Sequence, residues 1–361
     1  MKNLFYTFLI STLSIASLAA IDTGTGADGS CNWGGPNIAS GTYNCTDLTV
    51  SGAVLVTGNN PLIIKVQGDV NINNSLTLSG QNGSAGGAGV AGGYNGGAAS
   101  TNGSGPSAGT FGNAGANEGG GFGGDGGGGG SGGSHGTLGS VGADSDDTNV
   151  AGGVAPTATY DSTTLFKTSM NGGAGGGGGG SDSFTNSGAQ AGGGGGVLRI
   201  SAGGTVTITS SIIANGGNGD TSSNDAGGGG GGAGGAIFIE TSDHITITGS
   251  ISAIGGNGGT GTANGGNGGN GGNGLIRLDD SDGSVVGSGL ATPTPSVFQA
   301  DVSLSSQTSE LNAFSSDISP GCALREVHDD FKFGFIFLGL LFLASNLLLN
   351  FNQRQEVEVR R

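Results

Sequence analysis

Two stretches of this sequence superimpose when Val206 is aligned with Ile245, and together they decide the fold. The first, VTITSSIIANGGNG, runs from Val206 to Gly219, and the second, ITITGSISAIGGNG, runs from Ile245 to Gly258. Short apolar runs precede both at the same offset, LRI at 198–200 and IFI at 237–239. A fixed period of this kind indicates a structural repeat in which each unit is stabilised by its neighbours.

The repeat extends in both directions from these two stretches. One more period along the chain leads to Ile276-Arg277-Leu278, and far upstream of the first stretch lies a matching unit that runs from Leu62 to Leu78. Apolar and polar residues alternate within each unit, which predicts strands with one buried face. Stacking the units predicts parallel strands wound into a solenoid, with a ladder of branched aliphatic side chains inside.

The first unit and the glycine-rich approach to the later strands also carry a resemblance. PLIIKVQGDV, from Pro61 to Val70, and GGAI, from Gly234 to Ile237, resemble the glycine-rich parallel β-helix proteins of bacterial surfaces, which share the pectate-lyase-like fold. The resemblance covers residues 46–83 and 190–292. It implies an all-β, right-handed parallel β-helix with long glycine-rich loops, and for most such proteins it implies no known chemistry.

Glycine dominates the composition, with 86 of 361 residues, and acidic residues outnumber basic ones 26 to 10. Collagen is excluded because there are only 7 prolines. A net charge of -16 disfavours nucleic-acid binding, which needs a basic surface. The insertion at 84–191 is expected to form flexible loops, since it offers little apolar surface to bury. The alternative is a set of packed glycine helices with three residues per turn, a period that residues 265–273 possess.

The N-terminus reads as a secretory signal peptide. Lys2 precedes an apolar stretch from Leu4 to Ile15, and small residues follow it, so cleavage is predicted between Ala19 and Ala20. Export agrees with the cysteine content. Cys31 and Cys45 are 14 positions apart and are a candidate disulfide, which an oxidising compartment favours.

A second apolar run occupies the C-terminus. It covers 21 positions from Phe331 to Phe351, enough for a transmembrane helix, and arginines follow it at the end of the chain. Upstream, Gly321 and Cys322 form a short motif. Motif, apolar run and basic end together resemble C-terminal protein-sorting signals of Gram-negative bacteria, particularly the myxobacterial type. The resemblance implies proteolytic processing near Cys322 and display at the cell surface.

These observations divide the chain into six parts. They are a signal peptide (1–19), an N-terminal cap and first coil (20–83), a glycine-rich insertion (84–191), the β-helix coils (192–292), a linker with the sorting motif (293–328), and a transmembrane anchor with a basic tail (329–361).

Candidate chemical groups are few. Glu240 and Asp279 fall on equivalent outward positions of adjacent units, about 5 Å apart, where two carboxylates could hold a cation or share a proton. We expect them instead beside Arg277 on a solvated face. The histidines do not cluster in the sequence, and no catalytic residue, metal ligand or cofactor is predicted beyond loose binding of calcium by the acidic surface.

The predicted function is therefore that of an exported, envelope-anchored structural or adhesive surface protein. Its expected partners are the membrane, through the C-terminal helix, and glycans or other cell-surface components. The alternative is a polysaccharide lyase or hydrolase of the pectate-lyase-like fold. Scarce aromatic residues disfavour that alternative, since Trp33 is the only tryptophan and carbohydrate clefts are usually lined by aromatic side chains.

Overall fold

The computed structural model describes residues 21–115, 126–146, 150–182 and 186–301. These residues form sixteen strands, β1 to β16 in chain order: Gly29–Trp33, Asn37–Ala39, Thr42–Val50, Val54–Thr57, Leu62–Val66, Val70–Ile72, Leu76–Thr77, Val197–Ala202, Val206–Ile208, Ser211–Ile213, Ala236–Thr241, Ile245–Ile247, Ser250–Ser252, Leu275–Asp280, Ala291–Thr292 and Ser296–Gln299. Three single-turn 3-10 helices accompany them, Gly83–Ala85, Thr163–Leu165 and Ser288–Leu290.

All of these strands pair in parallel, in two sheets. The larger sheet has the order β12-β9-β6-β3-β5-β8-β11-β14-β16, with β1 added on β3, and the smaller has the order β15-β13-β10-β7-β4-β2. The long strand β3 pairs with β5 through its first half and with β6 through its second half. The larger sheet therefore bends at β3 and curls into a half-barrel.

The predicted register of the repeat is confirmed. Leu198 pairs with Ile237, which pairs with Ile276, and Leu62 of the upstream unit pairs with Leu198, as the alignment of the units predicts. The alternating aliphatic side chains of these units are fully buried and pack together in one cluster between the sheets. Burying each such side chain contributes about 1.5–3 kcal/mol, so this ladder is the main apolar core.

The predicted fold class, a right-handed parallel β-helix with long glycine-rich loops and a C-terminal transmembrane helix, is wrong and needs correction. The strands form parallel sheets with a half-barrel, and they hold only 26% of the described chain. None of the helical turns in the described ranges has the length or apolar character that crossing a bilayer requires. The apolar run at 331–351, on which the helix was predicted, lies outside the described residues.

The glycine-rich stretches are not the flexible loops that were expected; they match the alternative of packed glycine helices with three residues per turn. They lie side by side as extended segments whose backbone hydrogen bonds recur every three residues, the period of a polyproline II helix. We call this assembly the glycine bundle. Its segments are 94–100, 107–115, 126–134, 137–146, 172–181, 189–196, 214–220, 226–235, 253–260 and 264–274.

Segment 226–235 lies at the centre of the glycine bundle. Its nine amides from Gly227 to Gly235 donate in rotation to carbonyls of three neighbours, 174–180, 214–220 and 266–272. Its carbonyls accept from amides of three others, 130–133, 189–195 and 256–259. Every residue from 226 to 241 is buried. Six neighbours around one chain, with the backbone polar groups satisfied, replace the apolar core that this part of the protein lacks.

Close packing explains why these positions are glycine. At Gly230 a Cβ atom would come within 3.0 Å of the Ser131 carbonyl oxygen, closer than real Cβ atoms come. The φ of Gly230 is outside the left-handed region. The requirement is therefore for space between adjacent backbones, and the conformational freedom of glycine plays no part in it.

Asparagines mark the outer edge of the glycine bundle. In segment 264–274 the backbone carbonyls of Asn267 and Asn270 accept from segment 137–146, while their side-chain oxygens accept the amides of Gly261 and Gly258 at 2.9 Å. Both asparagines are exposed, and the glycines between them face the interior. The GGN period noted in the sequence is thus the pattern of an edge segment, with glycine where neighbours are close and asparagine where there is room.

Candidate functional site

A cluster of charged side chains lies on the outward side of β8, β11 and β14. The register pairs Phe238 with Arg199 on one side and Arg277 on the other, and it pairs Glu240 with Ser201 on one side and Asp279 on the other. The alignment of the repeat units predicts these pairings, and alternate residues of each strand share one face. The apolar residues between them point into the core.

The carboxylates in this cluster are paired with arginines. Arg199 Nη2 donates to Glu240 Oε1 at 2.7 Å, and Ser201 Oγ donates to the same oxygen at 2.7 Å. Arg277 holds Asp279 with both Nε and Nη2, at 2.7 and 2.6 Å. Two-point arginine–carboxylate pairs of this kind are the strongest and most directional of the charged hydrogen bonds.

The predicted solvated face is wrong, although Arg277 does lie beside Asp279. Glu240 is 3% exposed and Asp279 is fully buried. The reason is a segment at 160–170, which we call the cover segment. It comes from the glycine-rich insertion, outside the repeat, so the alternation of the strands held no sign of it.

Both polar and apolar contacts hold the cover segment against the sheet. Arg277 Nη1 donates to the Thr163 carbonyl at 2.6 Å. The ring of Phe166 is buried against Phe238, with centroids 6.3 Å apart. Lys167 Nζ lies 3.5 Å from Asp279 Oδ2 and forms a second ion pair with Asp301.

Aromatic rings enclose the arginines of the cluster. The guanidinium groups of Arg199 and Arg277 lie 5.2 and 5.1 Å from the centroid of Phe238, and that of Arg277 lies 4.4 Å from the centroid of Phe298. Within the cluster three positive side chains, those of Lys167, Arg199 and Arg277, balance the three carboxylates. This arrangement clamps the cover segment to the sheet.

A small cavity opens beside Arg199, under the cover segment. Its volume is about 140 Å³, and its lining is mostly apolar, from Ile63, Phe166, Met170 and Val197. Pockets for drug-sized ligands measure about 300–1,000 Å³. This cavity is therefore too small for several sugar rings.

A second buried cluster surrounds His135, and no pattern in the sequence pointed to it. His135 is fully buried, its Nδ1 lies 2.8 Å from the Gly234 carbonyl oxygen, and its ring stacks on Tyr160 at 4.8 Å. Its Nε2 lies 3.5 Å from Asp161 Oδ2. Burial alone would raise the pKa of Asp161, but the nearby His135 ring and the hydrogen bonds from Asn171 outweigh it and hold that pKa below its usual value. Burial raises the pKa of the Tyr160 hydroxyl.

One group in the described part of the chain has donor atoms close enough for a metal ion. Atoms of His244, Asp280 and Asp282 lie within 4.8 Å of one another. Asp280 accepts the amides of Ile245 at 2.6 Å and Asp282 at 3.1 Å, and lies 3.4 Å from His244 Nδ1. Burial would raise the pKa of Asp280, but these hydrogen bonds lower it overall. They also give the carboxylate a structural role at the end of β14.

The remaining predicted site residues fall in two classes. Cys31 and Cys45 are joined by a disulfide in the structure, with Cα atoms 5.6 Å apart, and it links the neighbouring strands β1 and β3. Ala19 and Ala20, at the predicted signal cleavage site, lie outside the described residues, as do Gly321 and Cys322 of the predicted sorting motif.

Comparisons with known proteins add no family to this picture. No protein-family model matches the chain, and neither a curated protein nor a solved structure matches it. The function must therefore be argued from the residues and their geometry.

Proposed function

We propose that this chain is an exported structural or adhesive protein of the bacterial cell surface. The observation that supports the proposal best is the glycine bundle, in which a ten-residue glycine-rich segment is surrounded by six others and hydrogen-bonded to all of them. Such an assembly gives a stiff body from small residues and needs little apolar core. Its construction suits a surface element better than an enzyme.

Resistance to proteolysis follows from the same arrangement. A protease must draw several residues of an extended chain into its active site, so the substrate has to open locally. In segment 226–235 this would break hydrogen bonds to several neighbours at once. A protein displayed outside a cell benefits from such protection.

The expected partners are glycans or other cell-surface components. An acidic chain with a net charge of -16 repels nucleic acid and stays soluble at high concentration. The exposed edge of the glycine bundle offers amide side chains, such as those of Asn257 and Asn270, that can hydrogen-bond to sugar hydroxyls.

Mass spectrometry of the mature protein from the producing cells, combined with surface labelling of intact cells, tests the proposal. We expect an N-terminus at Ala20, a C-terminus near Cys322, and accessibility to surface-labelling reagents on intact cells. A protein that keeps residues 1–19 and is labelled only after lysis would contradict it.

The enzyme alternative has less support. Glu240 and Asp279 are the carboxylates best placed by the repeat, and both are engaged by arginines under the cover segment. A lyase or hydrolase needs a carboxylate that can reach its substrate. Turnover by the full chain on a panel of polysaccharides, lost in Glu240→Gln, would revive the alternative.

A further inference from the structure

Lys167 lies between two carboxylates in the charged cluster. Its Nζ is in direct contact with Asp301 Oδ2 and is 3.5 Å from Asp279 Oδ2. We propose that Lys167 and Asp301 condense within the folded chain to form an isopeptide bond, with Asp279 transferring the protons. This modification does not depend on where the protein resides.

Proximity is the first argument for this reaction. The fold brings together two groups that are 134 residues apart, one on the cover segment and one just after β16. Holding two reacting groups in contact replaces a collision in solution by an intramolecular step, which is worth several orders of magnitude in rate. The side chains of Lys167 and Asp301 are 29% and 33% exposed, so the water that the reaction produces has a way out.

Asp279 is the second argument, because it touches the reacting nitrogen and is itself immobile. Its carboxylate is fully buried, and Arg277 holds both of its oxygens. The same Oδ2 that faces Lys167 can take a proton from the ammonium group. A carboxylate within reach of the proton that moves is the geometry that general acid–base catalysis requires.

The surroundings favour a neutral product over an ion pair. Phe298 lies three positions before Asp301, and its ring stacks on the guanidinium of Arg277, which holds Asp279. Phe166 is adjacent to Lys167 in sequence and is buried. Ion pairs that are partly removed from water bear a desolvation cost, and a neutral amide does not bear the same cost.

The reaction balances without any other reagent. The Nζ–Cγ bond forms, and one Cγ–O bond of Asp301 breaks. Of the three protons on the Lys167 ammonium group, one stays on the amide nitrogen and two leave with the departing oxygen as water. Asp279 accepts a proton from Nζ, passes it to that oxygen, and ends in its starting state.

The chain contains an internal control for this proposal. Lys65 Nζ contacts Asp22 Oδ2 at 2.5 Å, so proximity there is comparable. In the described residues, however, Asp22 is the one carboxylate that pairs with Lys65, and it is 64% exposed. We therefore expect an isopeptide bond at Lys167 and an ordinary ion pair at Lys65.

Intact-mass measurement of the folded full-length chain, after reduction and alkylation, tests the bond. We expect a mass about 18 Da below the mass calculated from the sequence, the difference being the water that leaves. Peptide mapping should show residues 167 and 301 in one cross-linked peptide. Trypsin should fail to cut after Lys167 and should cut after Lys65. An unmodified mass with normal cleavage after Lys167 would overturn the proposal.

Variants separate the roles of the three residues. Lys167→Arg and Asp301→Ala should both lose the mass difference, while Asp22→Ala should retain it. Asp279→Asn should slow bond formation at least tenfold when the mass of newly synthesised chain is followed over time, with the product still at residues 167 and 301. A mass difference that persists in Asp301→Ala, or an unchanged rate in Asp279→Asn, would contradict the assigned roles. Since wild-type mass alone decides whether the bond exists, misfolding of a variant does not leave the proposal untested.

Discussion

The substitution Gly230→Ala probes the centre of the glycine bundle. The added methyl group would overlap the carbonyl oxygen of Ser131. Segment 226–235, which carries residue 230, cannot shift without disturbing its six neighbours. At the same residue the amide donates to Gly177 O at 2.8 Å, and the carbonyl accepts from Gly192 N at 2.9 Å. Both of these hydrogen bonds are buried. Because the methyl group would push segment 226–235 away from Ser131, both bonds would be disturbed.

The expected loss of stability follows from those two bonds. A buried polar group left without its partner costs about 1–3 kcal/mol, so losing both bonds costs about 2–6 kcal/mol. Replacing glycine by alanine also restricts the unfolded chain, which returns about 0.4–1 kcal/mol. We therefore expect the free energy of unfolding to fall by about 1–6 kcal/mol.

Urea unfolding of the full chain, followed by circular dichroism, measures this change. Gly35→Ala is the matched control, because a Cβ at Gly35 would have no atom within 4 Å and the φ there is not left-handed. We expect that control to alter stability by no more than about 1 kcal/mol, in the stabilising direction. If Gly230→Ala behaved like Gly35→Ala, the segment would be a loop and the reasoning would be refuted.

Three further perturbations test other parts of the structure. Asn270→Ala removes the acceptor of the Gly258 amide, 2.9 Å away, and should cost about 1 kcal/mol in urea unfolding, whereas an unchanged midpoint would show that the asparagine edge is not structural. The lowered pKa of Asp280 stabilises the folded chain at neutral pH, and this stability is lost as pH falls from about 4 through the folded-state pKa. Asp280→Asn should therefore flatten the acid limb of a stability–pH curve. An unaltered limb would contradict the stabilising role of Asp280. Arg277→Met leaves the buried Asp279 without its main partner and should lower the free energy of unfolding by about 3–5 kcal/mol. Adding Asp279→Leu should recover part of that loss. Equal losses in the single and double variants would argue against the pairing.

The sheets were predictable because their side chains carry a pattern. Alternating residues such as Val206 and Ile208, repeated at Ile245 and Ile247, specify both the buried face and the register. The same alternation placed Glu240 beside Asp279 correctly. A periodic pattern of side chains is a direct record of which face of a strand is buried.

The glycine bundle was not predictable in the same way, because glycine has no side chain with which to mark a face. Segment 226–235 is close to uniform glycine, so its six-neighbour packing leaves no period in the sequence. Only segment 264–274, at the edge, shows the period of three, since asparagines such as Asn270 occupy its open side. The composition favoured flexible loops over the alternative of packed glycine helices, whereas the hydrogen bonds between backbones show the packed arrangement.

The burial of the charged cluster was missed for a different reason. The cover segment that carries Phe166 and Lys167 lies in the non-repeating insertion, and it meets strands such as β8 that are distant from it in sequence. Nothing in the alternation of β8, β11 and β14 indicates that another segment lies over their outward face. The repeat therefore placed the carboxylates correctly but led to the wrong degree of exposure.

Amide hydrogen exchange of segment 226–235 in the full chain is the most direct test of the central claim, that glycine-rich chains form an ordered, hydrogen-bonded body. All nine amides from Gly227 to Gly235 donate to backbone carbonyls in the structure. We predict that they exchange as slowly as the amides of β11, the strand that follows directly. Exchange at the rate of an unstructured chain, with β11 still protected, would contradict the account.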